Sequence, residues 1–428
     1  MQFHTWRGLA ILILAAAPLG AQPVMNLTLA EARRVAIQNN PRFSAAQLKA
    51  AASYQVPLQF KANFQPNVSG VFTGVGADSG SRLAAGGLNN PVVYNRVGSG
   101  LTVSQMVTDF GRTSNLVGMA NLHAQAQDQA TEATREQILL ITSRAYFALL
   151  RAKAVLQVAN QTVQARSLVS EQVTALAQSK LRSTLDVSFA NVNLADAKLL
   201  QVQAQNDVKA AEADLATAIG LPNETGFVLA EEPMPDPLPD RIDSLLRDAM
   251  QQRPELRELR LEESAAERFT KAEHALYYPY VGVAATSGLV PTGEAAVPGR
   301  YGAIGLNITV PVFNGGLFKA RQTEAELKAR AAVKDTNDLE NLITRDLRVA
   351  YLNALTAYDR MGLTKQLLDQ AQLSLDLAQT RYDNALSTIV ELSTAQLNLT
   401  SAQIANANAL YDYQTQRVIV DYQTGVLR

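Results

Sequence analysis

Apolar residues recur at alternating steps of three and four along two long tracts of the chain. In the first tract these positions are Val187, Ala190, Leu194, Ala197, Ala204, Val208, Ala211 and Leu215, and in the second they are Leu392, Ala395, Leu399, Ala402, Ala409 and Tyr413. Gln201 and Asn406 interrupt the pattern at matching points. Such a seven-residue pattern is typical of a helix that packs against another helix along a narrow seam. It therefore predicts long helices that need partner helices.

The segments that contain these patterns have few residues that break a helix. Residues 119–219 contain no glycine or proline, and residues 317–424 contain only Gly362. Ala, Gln, Leu and Glu, which favour helix, dominate both segments. We therefore predict helical tracts over about 112–219 and about 317–424. The outgoing part of the first tract would be on the order of 100 Å long at the usual rise per residue.

Each helical tract has a point at which it can turn back on itself. These points lie near residues 183–184 and 387–388, where Asp186 and Glu391 are placed to occupy the first turn of a returning helix. Carboxylates at that position are favoured by the exposed amides of a helix start. Each tract is therefore predicted to be a helical hairpin.

Four shorter runs alternate apolar residues with small or polar ones, as a strand with one apolar face does. They cover about 66–76, 97–107, 279–289 and 300–311. A tilted strand that crosses a membrane needs roughly 9–11 residues, which is the length of these runs. Loops rich in Gly, Ser, Asn and Pro separate the two runs of each pair.

The chain is a duplication with a constant offset of 205 residues through most of each copy. Leu101 corresponds to Leu306, Tyr146 to Tyr351 and Gly220 to Gly425. Further upstream the offset is 213, since Pro41 corresponds to Pro254. A period this long indicates two similar half-domains rather than an array of short repeats.

The start of the chain resembles an export signal. A short positive end, an apolar stretch and a small-residue site at Leu19-Gly20-Ala21 predict a signal peptide over 1–21. The remaining organisation is predicted as a first repeat over 22–220, a linker over 221–239 and a second repeat over 240–428. The mature protein should leave the cytoplasm.

Composition excludes several functional classes. The chain has 38 basic and 39 acidic residues, a net charge of -1 and no basic run, so nucleic acid is a poor partner. Cysteine is absent, so neither disulfides nor a lipid-modified cysteine can anchor the protein. Two histidines remain after the signal peptide, and no residue spacing suits a metal, a bound nucleotide or a nucleophile with its base. We expect no enzyme activity and no cofactor.

The strands cannot complete a membrane structure within one chain. A sheet in a membrane must close into a barrel, because unpaired backbone groups are unfavourable in hydrocarbon. Bacterial single-chain barrels have eight strands or more, and this chain offers four. Several chains would have to share one barrel.

The sequence resembles the TolC-like outer-membrane efflux proteins over essentially the whole mature chain. The features that carry the resemblance are Leu27-Thr28-Leu29-Ala30-Glu31-Ala32, Asn39-Asn40-Pro41, Val103-Ser104-Gln105, Asp109-Phe110-Gly111-Arg112, Leu185-Asp186-Val187, Pro311-Val312-Phe313-Asn314-Gly315-Gly316 and Val390-Glu391-Leu392. Each is weak alone, but their order within the duplication is specific.

The resemblance implies a mainly α fold with a β-barrel part. Duplicated helical hairpins would form a trimeric α-barrel tunnel, and four strands per chain would contribute to a shared 12-stranded barrel. It also implies the outer-membrane exit duct of a tripartite efflux pump or type I secretion system. The partners would be two further copies, a periplasmic adaptor, an inner-membrane transporter and outer-membrane lipid. The alternative is a structural or adhesive periplasmic coiled-coil protein without a pore.

The resemblance also assigns roles at the hairpin turns. Asp186 and Glu391 match carboxylates that narrow the tunnel of family members, and a trimer would make each of them a ring of three. Tyr382, the third tunnel-constriction candidate, matches a tyrosine in the hydrogen-bond network that restrains the tunnel end. The alternative for the carboxylates is simple stabilisation of the helix starts. Ser387 stands where several relatives have arginine, and Thr394 where some have a second carboxylate. The candidate adaptor contacts are Lys180, Leu181, Arg182, Ser183, Ala385, Leu386, Ser387 and Thr388.

Overall fold

The computed structural model describes residues 26–82, 92–239 and 241–427. The predicted signal peptide, 1–21, lies outside them. The helices are α1 (Leu29–Asn39), α2 (Pro41–Ser53), α3 (Gln55–Lys61), α4 (Arg112–Gln178), α5 (Thr184–Ala218), α6 (Asp243–Gln252), α7 (Pro254–His274), α8 (Leu317–Asp383) and α9 (Ile389–Thr424). The strands are β1 (Asn26–Leu27), β2 (Asn67–Val75), β3 (Arg96–Thr108), β4 (Val228–Leu229), β5 (Tyr280–Gly293) and β6 (Arg300–Thr309). The mainly α fold class with long hairpins and a small strand part is confirmed.

The two long hairpins are copies of each other in backbone as well as in sequence. Helices α4 and α8 each have 67 residues, which is about 100 Å of helix. Each begins after a left-handed glycine, Gly111 or Gly316. Each ends two residues before a left-handed non-glycine residue, Lys180 or Ala385, both with φ 59°. The chain therefore turns at equivalent points in the two repeats.

The heptad seams lie inside the hairpins, as the pattern predicted. On the returning helices Ala190, Ala197 and Ala204 of the first copy are buried, and so are Ala395 and Ala402 of the second. Alanine at these positions lets the helix axes approach closely. Helix α4 packs against both α5 and α9, and α8 packs against α9. The helices therefore follow the order α5, α4, α9, α8 across the layer.

The four long strands form one antiparallel sheet in the order β2, β3, β5, β6. Strand β5 runs on to Gly293, beyond the predicted end at 289, because Thr292 and Gly293 still pair with the start of β3. A register shift between Val97 and Ser99 accommodates the extra length. Along β2 and β6, the pairing in the described part of the chain is on one side only.

The two faces of this sheet differ in chemistry, because alternate residues point to opposite sides. The pairing places one set of apolar side chains on a common face: Val68, Phe72, Leu101, Val103, Val281, Val283, Leu289, Ile304, Leu306 and Ile308. The other face carries Asn67, Ser69, Thr73, Thr102, Ser104, Thr286, Asn307 and Thr309. Phe72 is 88% exposed and Ile304 is 79% exposed, so the apolar face lacks a covering layer within the chain.

The shorter elements pack around the middle of the long helices. Asn40 caps α2 and Pro41 opens it, so the proline is the first residue of a new helix. The segment expected as a linker contains β4, which pairs with β1 in parallel. The Tyr146 hydroxyl donates to the backbone oxygens of Leu27, at 3.0 Å, and Ala230, at 2.6 Å, beside this pair. These contacts join the start of the first repeat and the segment that follows this repeat to α4.

One glycine in each repeat lets two chain segments touch. Gly220 has φ +76°, and a Cβ there would lie 2.8 Å from the carbonyl carbon of Asn39. Gly425 has φ +72°, and a Cβ there would lie 2.8 Å from the backbone nitrogen of Arg253. The left-handed backbone disfavours a side chain, and the close approach leaves no room for one. The end of each hairpin thus packs onto the Pro-containing lead-in of its own repeat.

A buried carboxylate joins the starts of the two outgoing helices. Glu273, near the end of α7, is 1% exposed and accepts two bonds from Arg321 of α8, at 2.7 and 3.0 Å. Arg112, the first residue of α4, lies 3.7 Å from the same carboxylate. The two cations balance a charge that would be unfavourable alone at this depth.

We predict that Glu273→Gln destabilises the protein by about 2–3 kcal/mol, because two arginines lose their anion while Arg321 stays partly hydrated. The measurement is the midpoint of thermal unfolding, followed by circular dichroism at 222 nm. Glu324→Gln is the matched control, since Glu324 pairs with Lys328 on the surface. Equal midpoints for the two variants would contradict the role given to Glu273.

Candidate functional site

The turns of the two hairpins form the candidate site, and their extreme ends expose equivalent leucines. Leu181 follows the left-handed Lys180, and Leu386 follows the left-handed Ala385. Each leucine is 71% exposed. An apolar side chain held in water at the end of each hairpin is available to a partner surface.

In the first turn, the predicted carboxylate Asp186 binds its own helix start. The backbone N–H of Ser183 donates to Asp186 Oδ2 at 3.2 Å, and the Ser183 hydroxyl accepts from the N–H of Leu185 at 2.9 Å. This reciprocal capping box holds the turn in one conformation. Asp186 is half-buried, so its charge still faces solvent at the tip.

In the second turn, the equivalent Glu391 has a different partner. Thr388 caps α9 by accepting from the N–H of Glu391 at 3.3 Å. The Glu391 carboxylate pairs with Arg381, the distance from Arg381 Nε to Glu391 Oε1 being 3.3 Å. Arg381 lies on α8, so this ion pair joins the two helices of one hairpin. The sequence did not predict a role for Arg381. Its ion pair crosses the turn, and the periodicity of the sequence does not determine the geometry of that turn.

Tyr382 lies between the two hairpins. It is 6% exposed and belongs to an apolar cluster with Val173 of α4, Ala190 of α5 and Leu392 of α9. Burial raises the pKa of its phenol; the nearby charge of Arg182 opposes this shift, and the charge of Asp186 adds to it. Within the described residues, the Tyr382 hydroxyl oxygen is buried and has no hydrogen-bond partner.

Arg182, predicted as an adaptor contact, touches Tyr382. Its guanidinium carbon lies 4.4 Å from the centroid of the Tyr382 ring. Its Nη2 also donates to the backbone oxygen of Tyr382 at 3.3 Å. The structure thus brings together one predicted adaptor contact, Arg182, and one predicted constriction residue, Tyr382.

The other predicted adaptor-contact residues differ in how far they are exposed to solvent. Lys180, Leu181, Ser183, Ala385, Leu386 and Thr388 are exposed, whereas Ser387 is half-buried. The Ser387 hydroxyl is buried without a partner in the part of the chain that the structure covers. No described hydrogen bond or ion pair joins Asp186 to Glu391.

A second set of apolar residues lies on the outer helices of the layer. On α5 they are Leu185, Phe189, Val192, Leu199 and Val202, with exposures of 61, 43, 58, 70 and 64%. On α8 they are Val349, Leu352, Leu363, Leu367 and Leu377, with exposures of 51, 60, 66, 54 and 59%. On α5 this stripe is opposite the buried Ala190 and Ala197. Both outer helices therefore present an unpartnered apolar stripe.

A hollow of about 690 Å³ lies where the sheet meets the outgoing helices. Residues from the polar face, including Asn67, Ser104 and Asn307, line it together with Arg112 and Phe318 at the helix starts. The hollow therefore adjoins both the polar face of the sheet and the starts of the outgoing helices.

Two features are absent from the part of the chain that the structure describes. Among residues 26–82, 92–239 and 241–427, no group of three or more His, Cys, Asp or Glu side chains is placed to hold a metal ion. None of the helices in these ranges combines the length and hydropathy needed to cross a membrane.

Comparison with known proteins identifies the family. The family model described as outer membrane efflux protein matches residues 32–221 and 245–425. The outer membrane protein TolC of Escherichia coli K12 is 23% identical, covering 83% of this chain and 74% of TolC. The alkaline protease secretion protein AprF of Pseudomonas aeruginosa is 22% identical, covering 94% of this chain and 85% of AprF.

A solved structure agrees with this result at the level of the fold. The outer membrane protein VceC of Vibrio cholerae superimposes with a TM-score of 0.77 at 21% identity, covering 93% of this chain and 96% of VceC. Two consecutive family matches, one per repeat, together span most of the described residues. The chain therefore belongs to the outer membrane efflux protein family.

Proposed function

We propose that this protein is the outer-membrane exit duct of a tripartite efflux pump or a type I secretion system. Three copies would form one pore, which conducts cargo passively from a periplasmic adaptor and an inner-membrane transporter to the exterior. The energy would come from the transporter, since the family is one of transport ducts rather than of enzymes.

The observation that carries the proposal is the sheet. It has one apolar face, one polar face and two unpaired edges, β2 and β6, in the described chain. An apolar face suits lipid and a polar face suits a water-filled lumen, but open edges are unfavourable in hydrocarbon. Pairing β6 of one copy with β2 of the next removes both edges, and three copies of four strands give the 12 that the resemblance implies.

The helical layer supports the same arrangement. Its outer helices are α5 and α8, and both carry an unpartnered apolar stripe. Packing α8 of one copy against α5 of the next would cover both stripes and continue the helical wall. This contact is head to tail, and such contacts close into rings when the rotation allows it. A coiled-coil protein without a pore would use these helices but would leave the two-faced sheet unexplained.

The hairpin tips are proposed to narrow the tunnel and to receive the adaptor. Asp186 and Glu391 would repeat around the axis as rings of negative charge, which favour cations at a narrow point. Leu181 and Leu386 would supply apolar contacts to the adaptor, because they are the most exposed apolar side chains at the tips. These roles make the tip both the gate and the docking end of the duct.

We predict that Leu199→Asp prevents assembly, because the charge would be placed in the contact between α5 and the neighbouring α8. Analytical ultracentrifugation in detergent would show monomer in place of trimer. Leu168→Asp is the control, since Leu168 is 56% exposed on α4, which already has helices on both sides. A wild-type protein that is a stable monomer would contradict the proposed duct itself.

We predict that Asp186→Asn with Glu391→Gln weakens cation preference, because both rings lose their charge while the amide introduced at position 186 would still accept the capping hydrogen bond. Reversal potentials in planar bilayers under a salt gradient measure this change, and we expect the cation-to-anion permeability ratio to fall severalfold. Asp196→Asn is the control, about 15 Å along α5 from Asp186. An unchanged ratio would remove these carboxylates from the constriction.

We predict that Leu181→Asp with Leu386→Asp abolishes export, because both apolar tips become charged and can no longer bind the adaptor. The trimer and its bilayer conductance should persist, since these side chains make few contacts within the chain. Export in cells that lack other ducts is the readout, with Leu48→Asp, equally exposed on α2, as the control. Normal export by the double variant would move the docking surface away from the tips.

A further inference from the structure

One buried residue of the long helices departs from the chemistry of the seam in which it lies. Arg166 of α4 is 7% exposed and follows the buried Ala159 and Thr162 at steps of four and three, with the buried Val173 one heptad further on. At the offset of 205 its counterpart is Ala371, which is also buried. In the second copy a small apolar side chain therefore fills this position, so seam packing alone does not account for an arginine.

The charge of Arg166 has no carboxylate partner among the described residues. Its Nη1 donates to the backbone oxygen of Asn193 on α5 at 2.8 Å, which is the one hydrogen bond described for this side chain. Its Nε is buried without a partner in the described chain. Burial lowers the pKa of the guanidinium, and the charge of Asp196 acts in the opposite direction without a described ion pair. Because arginine stays protonated in proteins, a positive charge is left without a counter-charge between the helices.

A hollow of about 150 Å³ lies beside Arg166, where α4 meets α8 and α9. One water molecule takes up about 30 Å³ in the liquid, so the hollow has room for a small ion with part of its hydration shell. Within the described residues, no carboxylate lines it. Its polar lining consists of Arg166 with three glutamines and two threonines, namely Gln161, Gln396, Gln403, Thr162 and Thr400.

The lining offers hydrogen-bond donors that the chain itself does not use. Gln396 and Gln403 are half-buried, and no hydrogen bond of either side-chain amide is described in the covered part of the chain. The hydroxyls of Thr162 and Thr400 lie 3.3 Å apart, and each has a backbone acceptor four residues earlier in its own helix, at 2.8 and 3.0 Å. The available donors are therefore one guanidinium and the glutamine amides. Donors of this kind beside a positive charge suit an anion.

We propose that the hollow beside Arg166 binds a small monovalent inorganic anion, chloride or another halide, which supplies the counter-charge that the chain lacks. One positive charge is balanced by one negative charge, so a monovalent ion fits better than a multiply charged oxyanion. The ion would contact the guanidinium on α4 and the amides of Gln396 and Gln403 on α9. The site lies about 20 Å along α4 from the turn at Lys180, and every group in it belongs to one chain. The inference therefore does not depend on the proposed function.

The first test is the midpoint of thermal unfolding of the purified full-length protein, measured by differential scanning calorimetry. Sodium chloride is compared with sodium gluconate at the same ionic strength, because gluconate is a much bulkier anion. Chloride should raise the midpoint of the wild type over that of Arg166→Ala by about 1–2 °C more than gluconate does, and the effect should saturate, as for a ligand that binds the folded state. Taking the difference between variants cancels the general effect of each salt.

The variants separate the site from ordinary surface charge. Arg166→Ala introduces the residue that the second copy has at the equivalent position, so the fold should persist while the chloride effect is lost. Arg166→Lys should keep part of the effect, because it keeps the charge but loses the planar fork of donors. Arg151→Ala is the matched control, an exposed arginine of α4 for which the described residues provide no ion pair. It should keep the full chloride effect.

The second test locates the ion directly. Bromide can replace chloride and is visible by its anomalous scattering, so crystals grown or soaked in sodium bromide should show a peak in the hollow, within hydrogen-bonding reach of Arg166. Crystals of Arg166→Ala should lack this peak. An empty hollow in wild-type crystals that bind bromide elsewhere would overturn the proposal, and so would equal chloride effects in the wild type and Arg166→Ala. Neither result concerns the pore, so the proposed duct would stand.

Discussion

The unpaired backbone of β2 and β6 is the constraint on which the architecture depends. The sheet exposes an apolar face that includes Phe72 and Ile304, so it favours hydrocarbon, where an unpaired N–H or C=O group is most unfavourable. Four strands cannot curl far enough to pair their own edges. The chain is therefore stable in a membrane only as part of a larger ring, and every other feature is compatible with that ring.

The helical layer extends the same order away from the membrane. Strand β3 lies inside the sheet and leads into α4, which lies inside the helical layer, whereas the edge strand β6 leads into the edge helix α8. Glu273 fixes the starts of both outgoing helices through Arg112 and Arg321, close to where the sheet ends. The two outgoing helices are thus held to each other and to α7 at one buried charge.

Much of this arrangement could be predicted from periodicity and local chemistry. Residues close together in sequence determine the heptad seams, the capping residues at the turns and the alternation along the strands. Because the chain is duplicated, each of these patterns occurs twice. The Glu273 ion pairs and the Arg182–Tyr382 contact were not predicted, because they join residues whose approach depends on how whole helices cross. The extension of β5 to Gly293 was missed because its pairing requires a shift of register against β3. Long-range contacts between charged and aromatic groups leave no periodic trace in a single sequence.

The two copies of the duplication differ in one contact at the hairpin turns, between Arg182 and Tyr382. If the two hairpins of a chain were identical, every pair of neighbouring hairpins in a helical wall would make nearly the same contact. No contact would then be weaker than the others. The Arg182–Tyr382 contact occurs once per chain, between α4–α5 and α8–α9, since Ser387 and Ala177 cannot form its counterpart. In a ring of three chains, the contacts within chains would then differ from the contacts between chains.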